Sequence, residues 1–176
     1  MNKKRIMIIV SRFNQKITQS LLDAAKETLY KAGVPESETG VVWVPGAFEL
    51  PVAAARAARS DNWDAVVCLG CVIRGETPHF DYVCQESARG LMNIGLETGK
   101  PVIFGVLTTL NSHQAMERSG LTPASLPEGE SVKHLVTNKG TEAAQAALDM
   151  LSIFADWGSI WSQPTEGMPE KPAIPQ

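Results

Sequence analysis

The chain has 176 residues, 44% hydrophobic and 20% charged, with a formal net charge of −3. That size and balance suit one compact α/β domain with a sizeable core. A basic excess or basic run is missing and no stretch nears the roughly 18 apolar residues of a spanning helix, so neither nucleic acid nor membrane is expected as a partner.

The opening MNKKRIMIIVSRFN looks briefly like a signal peptide. IMIIV is too short for the apolar core of one, and Arg12 follows with no small-residue cleavage site, so a cytoplasmic protein is expected. Ile6–Val10 reads as the first strand, rich in Val and Ile and not alternating, as in strands buried on both faces. A helix follows over 18–33, with Thr18 as candidate N-cap, an apolar face at Leu21, Leu22, Ala25 and Leu29, and Gly33 as its stop. Val41–Val44 is the second strand, read like the other three as buried on both faces. FELPVAAARAARS (48–60) is the second helix, with Pro51 in its first turn and alanines that permit close packing. Ala65–Leu69 is the third strand, and His79 to about Glu97 the third helix. Val102–Leu107 is the fourth strand. Asn111 to Arg118 starts a fourth helix, and Gly140 to Trp157 is a long last one whose core side is Leu148, Leu151 and Phe154.

Strand and helix alternate four times, which predicts a flavodoxin-like, doubly wound parallel sheet in order 2-1-3-4 with helices on both faces. Ligands then bind beyond the carboxyl ends of the strands. That edge carries SRFN, PGAFE, GCVIRGETPH and the end of the fourth strand. Residues 1–158 form the expected domain, interrupted by an atypical insert over about 121–137. Residues 159–176, rich in proline, read as a disordered or draped tail.

Three cysteines, Cys68, Cys71 and Cys84, are too few and too odd in number for a disulfide framework. Cys68-x-x-Cys71 has zinc-like spacing, but no second ligand pair follows, and its apolar setting suggests buried strand thiols; no metal is expected. GETP ahead of the third helix is a ready anion site, since free N–H groups at a helix start point outward beside a partial positive charge. Thr77 adds a hydroxyl donor or merely caps the helix, and Glu76 serves only through its backbone N–H. His79 stands one turn from that site, as an acid/base or as a packing residue; a metal shared with Asp81 fails because residues two apart on a helix diverge. Phe13 and Phe48 stack on a flat ligand or plug against a neighbouring subunit. Glu49 accepts from hydroxyls or sits in a first helical turn. Arg118 pins a dianion or is a solvated charge.

Seven blocks occur in order: SRFN (11–14), WVPGAFELP (43–51), DAVVCLGCVIRGETPHFDYV (64–83), PVIFGVLTT (101–109), AMERSG (115–120), NKG (138–140) and AALDM (146–150). Over roughly residues 5–155 the chain resembles the 6,7-dimethyl-8-ribityllumazine synthase family. The resemblance implies condensation of 5-amino-6-ribitylaminouracil with 3,4-dihydroxy-2-butanone 4-phosphate, the penultimate step of riboflavin biosynthesis, with no metal or redox cofactor. It implies that Phe13 stacks on the pyrimidinedione and that Ala47, Phe48 and Glu49 bind the uracil and ribityl chain. Cys71, Val72 and Ile73 would contact the heterocycle, and Phe104 would reach it across a subunit boundary. Glu76, Thr77, Arg118 and Lys139 would bind the phosphate, and His79 would transfer protons. Implied partners are the small-molecule substrates, further copies of the chain, and riboflavin synthase.

Many family members carry an extra strand ahead of SRFN, whereas only four residues precede Arg5 here. Members also commonly join ERxG to NKG by a few residues, whereas LTPASLPEGESVKHLVT stands between Gly120 and Asn138. A pentamer or a pair of pentamers is therefore expected rather than a 60-subunit shell. A non-catalytic lumazine- or flavin-binding homologue is the alternative, and retention of His79, Arg118 and the TPH loop argues against it. A flavodoxin-like electron carrier would want a Ser/Thr/Gly-rich loop after the first strand, where SRFNQKIT stands. The insert argues against a purely structural shell protein.

Overall fold

The computed structural model describes residues 4–121 and 138–161. Strands β1 (Ile6–Ser11), β2 (Thr39–Val44), β3 (Ala65–Ile73) and β4 (Val102–Thr109) form one sheet in order β2-β1-β3-β4. Every pairing is parallel. Helices α1 (Gln15–Lys31) and α5 (Lys139–Trp161) cover one face, and α2 (Leu50–Ala58) and α3 (His79–Thr98) cover the other. The short α4 (Ser112–Arg118) follows β4. The expected fold class and strand order both hold.

Successive residues of the central strands enter opposite cores. Ile8 and Val10 of β1 and Val67 and Leu69 of β3 meet α1 and the Ala143, Ala144 and Ala147 side of α5. Ile9, Val66 and Cys68 meet Leu50 and Ala54 of α2 and Leu91 and Ile94 of α3. Both sides of each strand are apolar, which explains the unbroken Val/Ile runs. Small residues bring helices close: a Cβ on Gly90 of α3 would come within 2.8 Å of Pro51 on α2.

Four local expectations are corrected. First, α1 begins at Gln15, so Thr18 is no cap; it is buried and its hydroxyl donates to the Ser11 carbonyl at 2.8 Å. Asn14 takes the cap position with φ 58°, a left-handed turn that reverses the chain straight out of β1. Second, β2 is an edge strand, and Val41 and Val42 are 38% and 44% exposed rather than buried on both faces. Third, β3 runs on to Ile73 because β4 continues beside it, pairing Ile73 with Thr109. Fourth, Phe154 is exposed and meets Trp157 edge to face at 6.1 Å. At 23 residues α5 is about 34 Å long, and its residues 152–157 are all exposed. The expected insert (121–137) and tail (159–176) lie outside the described residues, apart from Leu121 and helical residues 159–161.

Cys68 and Cys71 are buried strand thiols as expected, and burial pushes both up, Cys71 to about 12. Among the described residues no group of His, Cys, Asp or Glu is placed to hold a metal, and no helix is long and apolar enough to cross a membrane.

Candidate active site

The carboxyl ends of β1, β2 and β3 converge on a cleft of about 710 Å³. Two loops form its rim. The N–H of Arg12 donates to the Val44 carbonyl at 2.8 Å and that of Phe13 to the Pro45 carbonyl at 3.1 Å, so the loops after β1 and β2 run side by side. The Asn14 side-chain amide donates to the Cys71 carbonyl at 3.0 Å and ties both to β3. Phe13 and Phe48 are thereby held 69% and 57% exposed at the mouth, where flat apolar faces are usually hidden.

Ala47, Phe48 and Glu49 form a single 3₁₀ turn. Ser87, buried in α3, donates to the Ala47 carbonyl at 3.0 Å and fixes that turn against the helix. Cys71, Val72 and Ile73 supply the floor, and Thr77 and His79 the wall at the start of α3. No side chain caps α3: Pro78 holds the cap position, so Thr77 is not a helix cap and its hydroxyl is not committed to that role. A 20-residue helix thus opens on the cleft with uncapped N–H groups, the arrangement that attracts an anion.

Nine expected residues line this one cleft: Phe13, Ala47, Phe48, Glu49, Cys71, Val72, Ile73, Thr77 and His79. Glu76 lies in the same loop but is exposed and does not line it. Sequence reasoning missed Tyr82 and Val83, which line the cleft one turn beyond His79. Spacings of three and four place them on the face of His79, and that periodicity is visible in HFDYV.

Phe104, Arg118 and Lys139 are elsewhere. They line a second depression of about 390 Å³ along β4. Within one chain Arg118 therefore does not line the cleft of His79; it lies with Lys139 against β4, the outer strand of the sheet. Arg118 donates to the Gln114 carbonyl at 3.1 Å, which directs its guanidinium, and the Lys139 ammonium is 2.6 Å from Glu142. The NKG block makes this corner. The Asn138 amide donates to the Ser119 carbonyl at 2.5 Å and to that of Ser20 at 3.3 Å, while its side-chain oxygen accepts from the Gly140 N–H at 2.8 Å. One residue thus joins α1, the end of α4 and the start of α5.

A family model described as 6,7-dimethyl-8-ribityllumazine synthase matches residues 3–155. A relative from Protochlamydia amoebophila (strain UWE25), named 6,7-dimethyl-8-ribityllumazine synthase, is 45% identical over 152 residues, covering 86% of this chain and 81% of its own.

Proposed function

The chain belongs to the 6,7-dimethyl-8-ribityllumazine synthase family, and we propose that its two depressions are the two halves of one active site, joined when copies of the chain associate. The activity is the condensation of 5-amino-6-ribitylaminouracil with 3,4-dihydroxy-2-butanone 4-phosphate, giving the lumazine, phosphate and water.

One observation carries the two-half reading. The aromatic cleft with His79 and the cationic corner with Arg118 and Lys139 occupy different edges of the same chain. Neither is complete for a reaction that must hold both a ribityl heterocycle and a phosphorylated ketone. The exposed Phe104 beside the cationic corner and the exposed valines of edge strand β2 support apposed copies, and the assembly we favour is a pentamer or a pair of pentamers.

In this site the uracil stacks on Phe13 and is held by the Ala47–Glu49 turn, with the Glu49 carboxylate accepting from ribityl hydroxyls. Cys71, Val72 and Ile73 carry the heterocycle from below. The N–H groups at residues 76–77 and the Thr77 hydroxyl bind the phosphate from one chain; Arg118 and Lys139 bind it from the next, adding charge-assisted bonds. The substrate amine attacks the ketone to give a carbinolamine, which loses water to form an imine. Proton removal next to the imine then expels phosphate and leaves an enol that becomes a ketone; the ribityl-bearing nitrogen attacks that carbonyl, and a second water leaves as the ring closes. His79 moves these protons. No electrons are gained or lost overall, so no redox cofactor enters. Holding two reactants together can remove about 7–11 kcal/mol of barrier, against about 3–5 kcal/mol for proton transfer, so positioning dominates. The free thiols fit a cytoplasmic setting, and riboflavin synthase, as consumer of the lumazine, is the partner this reading names.

The test is to mix the purified chain with both substrates and follow the fluorescent lumazine, with Arg118→Ala alongside. Product that falls steeply in Arg118→Ala supports the reading. An assembled wild type that makes none points instead to a ligand-binding homologue, to be sought as a copurifying flavin.

A further inference from the structure

The loop carrying Thr77 and His79 has little packing of its own. Residues 74–79 are all exposed, and a Cβ added at Gly75 would meet nothing within 4 Å. Among the described residues, no side chain hydrogen-bonds to Glu76, Thr77 or His79. Something else must hold this stretch if it is to present donors at fixed points.

Both ends of the loop are firm. The Arg74 N–H donates to the Thr109 carbonyl at 2.9 Å, ending the β3–β4 ladder, and the Asp81 N–H donates to the Pro78 carbonyl at 3.0 Å, inside the first turn of α3. The two side chains meet across the loop. Arg74 Nη2 lies 3.2 and 3.4 Å from the two Asp81 carboxylate oxygens, and the guanidinium carbon is 5.3 Å from the centre of the Phe80 ring. Arginine alone combines a planar donor array with stacking on an aromatic face; lysine keeps the charge but loses the plane.

We propose that Arg74 and Asp81, with Phe80 beneath the guanidinium, are a positioning pair that sets Thr77 and His79 toward the cleft without either charged residue touching substrate. The proposal rests on the role given to that loop above. A rival role for Arg74, direct contact with the substrate phosphate, predicts the opposite sign for one variant. Neutralising Asp81 would then free the arginine and tighten the phosphorylated substrate.

The experiment compares Arg74→Gln, Arg74→Lys, Asp81→Asn, the double variant Arg74→Gln/Asp81→Asn and the swapped pair Arg74→Asp/Asp81→Arg. Misplacement of a catalytic group by a fraction of an ångström predicts that each single variant lowers kcat about three- to tenfold, with the thermal midpoint nearly unchanged. Two residues acting through one contact predict a double variant no slower than the singles, and a swapped pair that recovers part of the loss. Arg74→Lys should behave like Arg74→Gln. An Asp81→Asn enzyme with unchanged or improved kcat and KM overturns the proposal, as does loss of activity that merely follows loss of folded protein. Backbone order parameters read the loop without substrates: those of 75–77 and 79 should fall in Asp81→Asn, and unchanged values also overturn it. A wild type that makes no lumazine would refute the assigned activity, while the order parameters would still decide the clamp.

Discussion

The side-chain amide of Asn14 donates to the carbonyl oxygen of Cys71 at 3.0 Å, and the Asn14 backbone is left-handed with φ 58°. This one residue reverses the chain after β1 and hangs the Phe13 loop on the strand that floors the cleft. Asn14→Ala should lose the bond and place an alanine in a strained conformation, costing about 2–3 kcal/mol of stability in chemical denaturation. Asn14→Gly should recover the conformational part and leave a cost of about 1 kcal/mol. Both should raise KM for the uracil substrate, because both release Phe13.

His79→Ala should slow lumazine formation about 10- to 100-fold without abolishing it. General acid–base catalysis is worth at most about 10²–10⁴, and the positioning groups stay in place. Single-turnover rates with both substrates saturating provide the check. Total loss in an assembled variant that still binds the uracil would mean that proton transfer dominates.

Gly140 opens α5 against α1 so closely that an added Cβ would fall on the Leu21 backbone carbonyl. Backbone cannot swing aside as a side chain can. Gly140→Ala should therefore cost about 1–3 kcal/mol, lowering the thermal midpoint by about 2–12 °C. It should also weaken use of the butanone phosphate, since Lys139 is the adjoining residue.

Burial holds the Cys71 thiol neutral, moving it from an ordinary 9.0 to about 12, with the Asn14 side chain opposing the shift slightly. The Cys68 thiol is pushed up for the same reason. An unfolded chain loses these protons first, so the stabilising contribution is complete below about pH 9 and drains away as pH rises toward 12. Equilibrium denaturation across that window should show a fall that Cys71→Ala makes shallower. Below pH 8 the two proteins should have parallel profiles.

Much of the fold was legible in the sequence because both sides of β1 and β3 are apolar, and only a doubly covered parallel sheet buries such runs. VVWV in β2 has the same composition yet stands at an edge; composition cannot tell a strand covered on both faces from one left half-exposed at the end of a sheet. The true length of β3 was hidden by Gly70 and Cys71, which look like a turn. Gly70 is instead a close-approach point, where an added Cβ would meet Leu50 and Val106 at 3.2 Å. Of the nine residues lining the cleft, Phe13, Phe48, Glu49, Thr77 and His79 were legible because they follow strand ends, whereas Ala47, Cys71, Val72 and Ile73 came only from the family resemblance. Tyr82 and Val83 were readable from helical spacing, whereas Asn14 was not, since its partner lies 57 residues away. Arg118 and Lys139 were legible as residues, but not that they line a depression apart from the His79 cleft, because chain order does not reveal which side of an outer strand a helix returns to.

The most direct test of the two-half site is complementation between impaired chains. His79→Ala and Arg118→Ala proteins are each assayed alone, then dissociated, mixed in equal amounts, reassembled and assayed again. Random pairing in a ring leaves about one site in four with both halves intact, so the mixture should recover up to about a quarter of wild-type lumazine formation. A mixture that assembles yet shows only the average of the two separate activities would mean that His79 and Arg118 act within one chain, and would contradict the account.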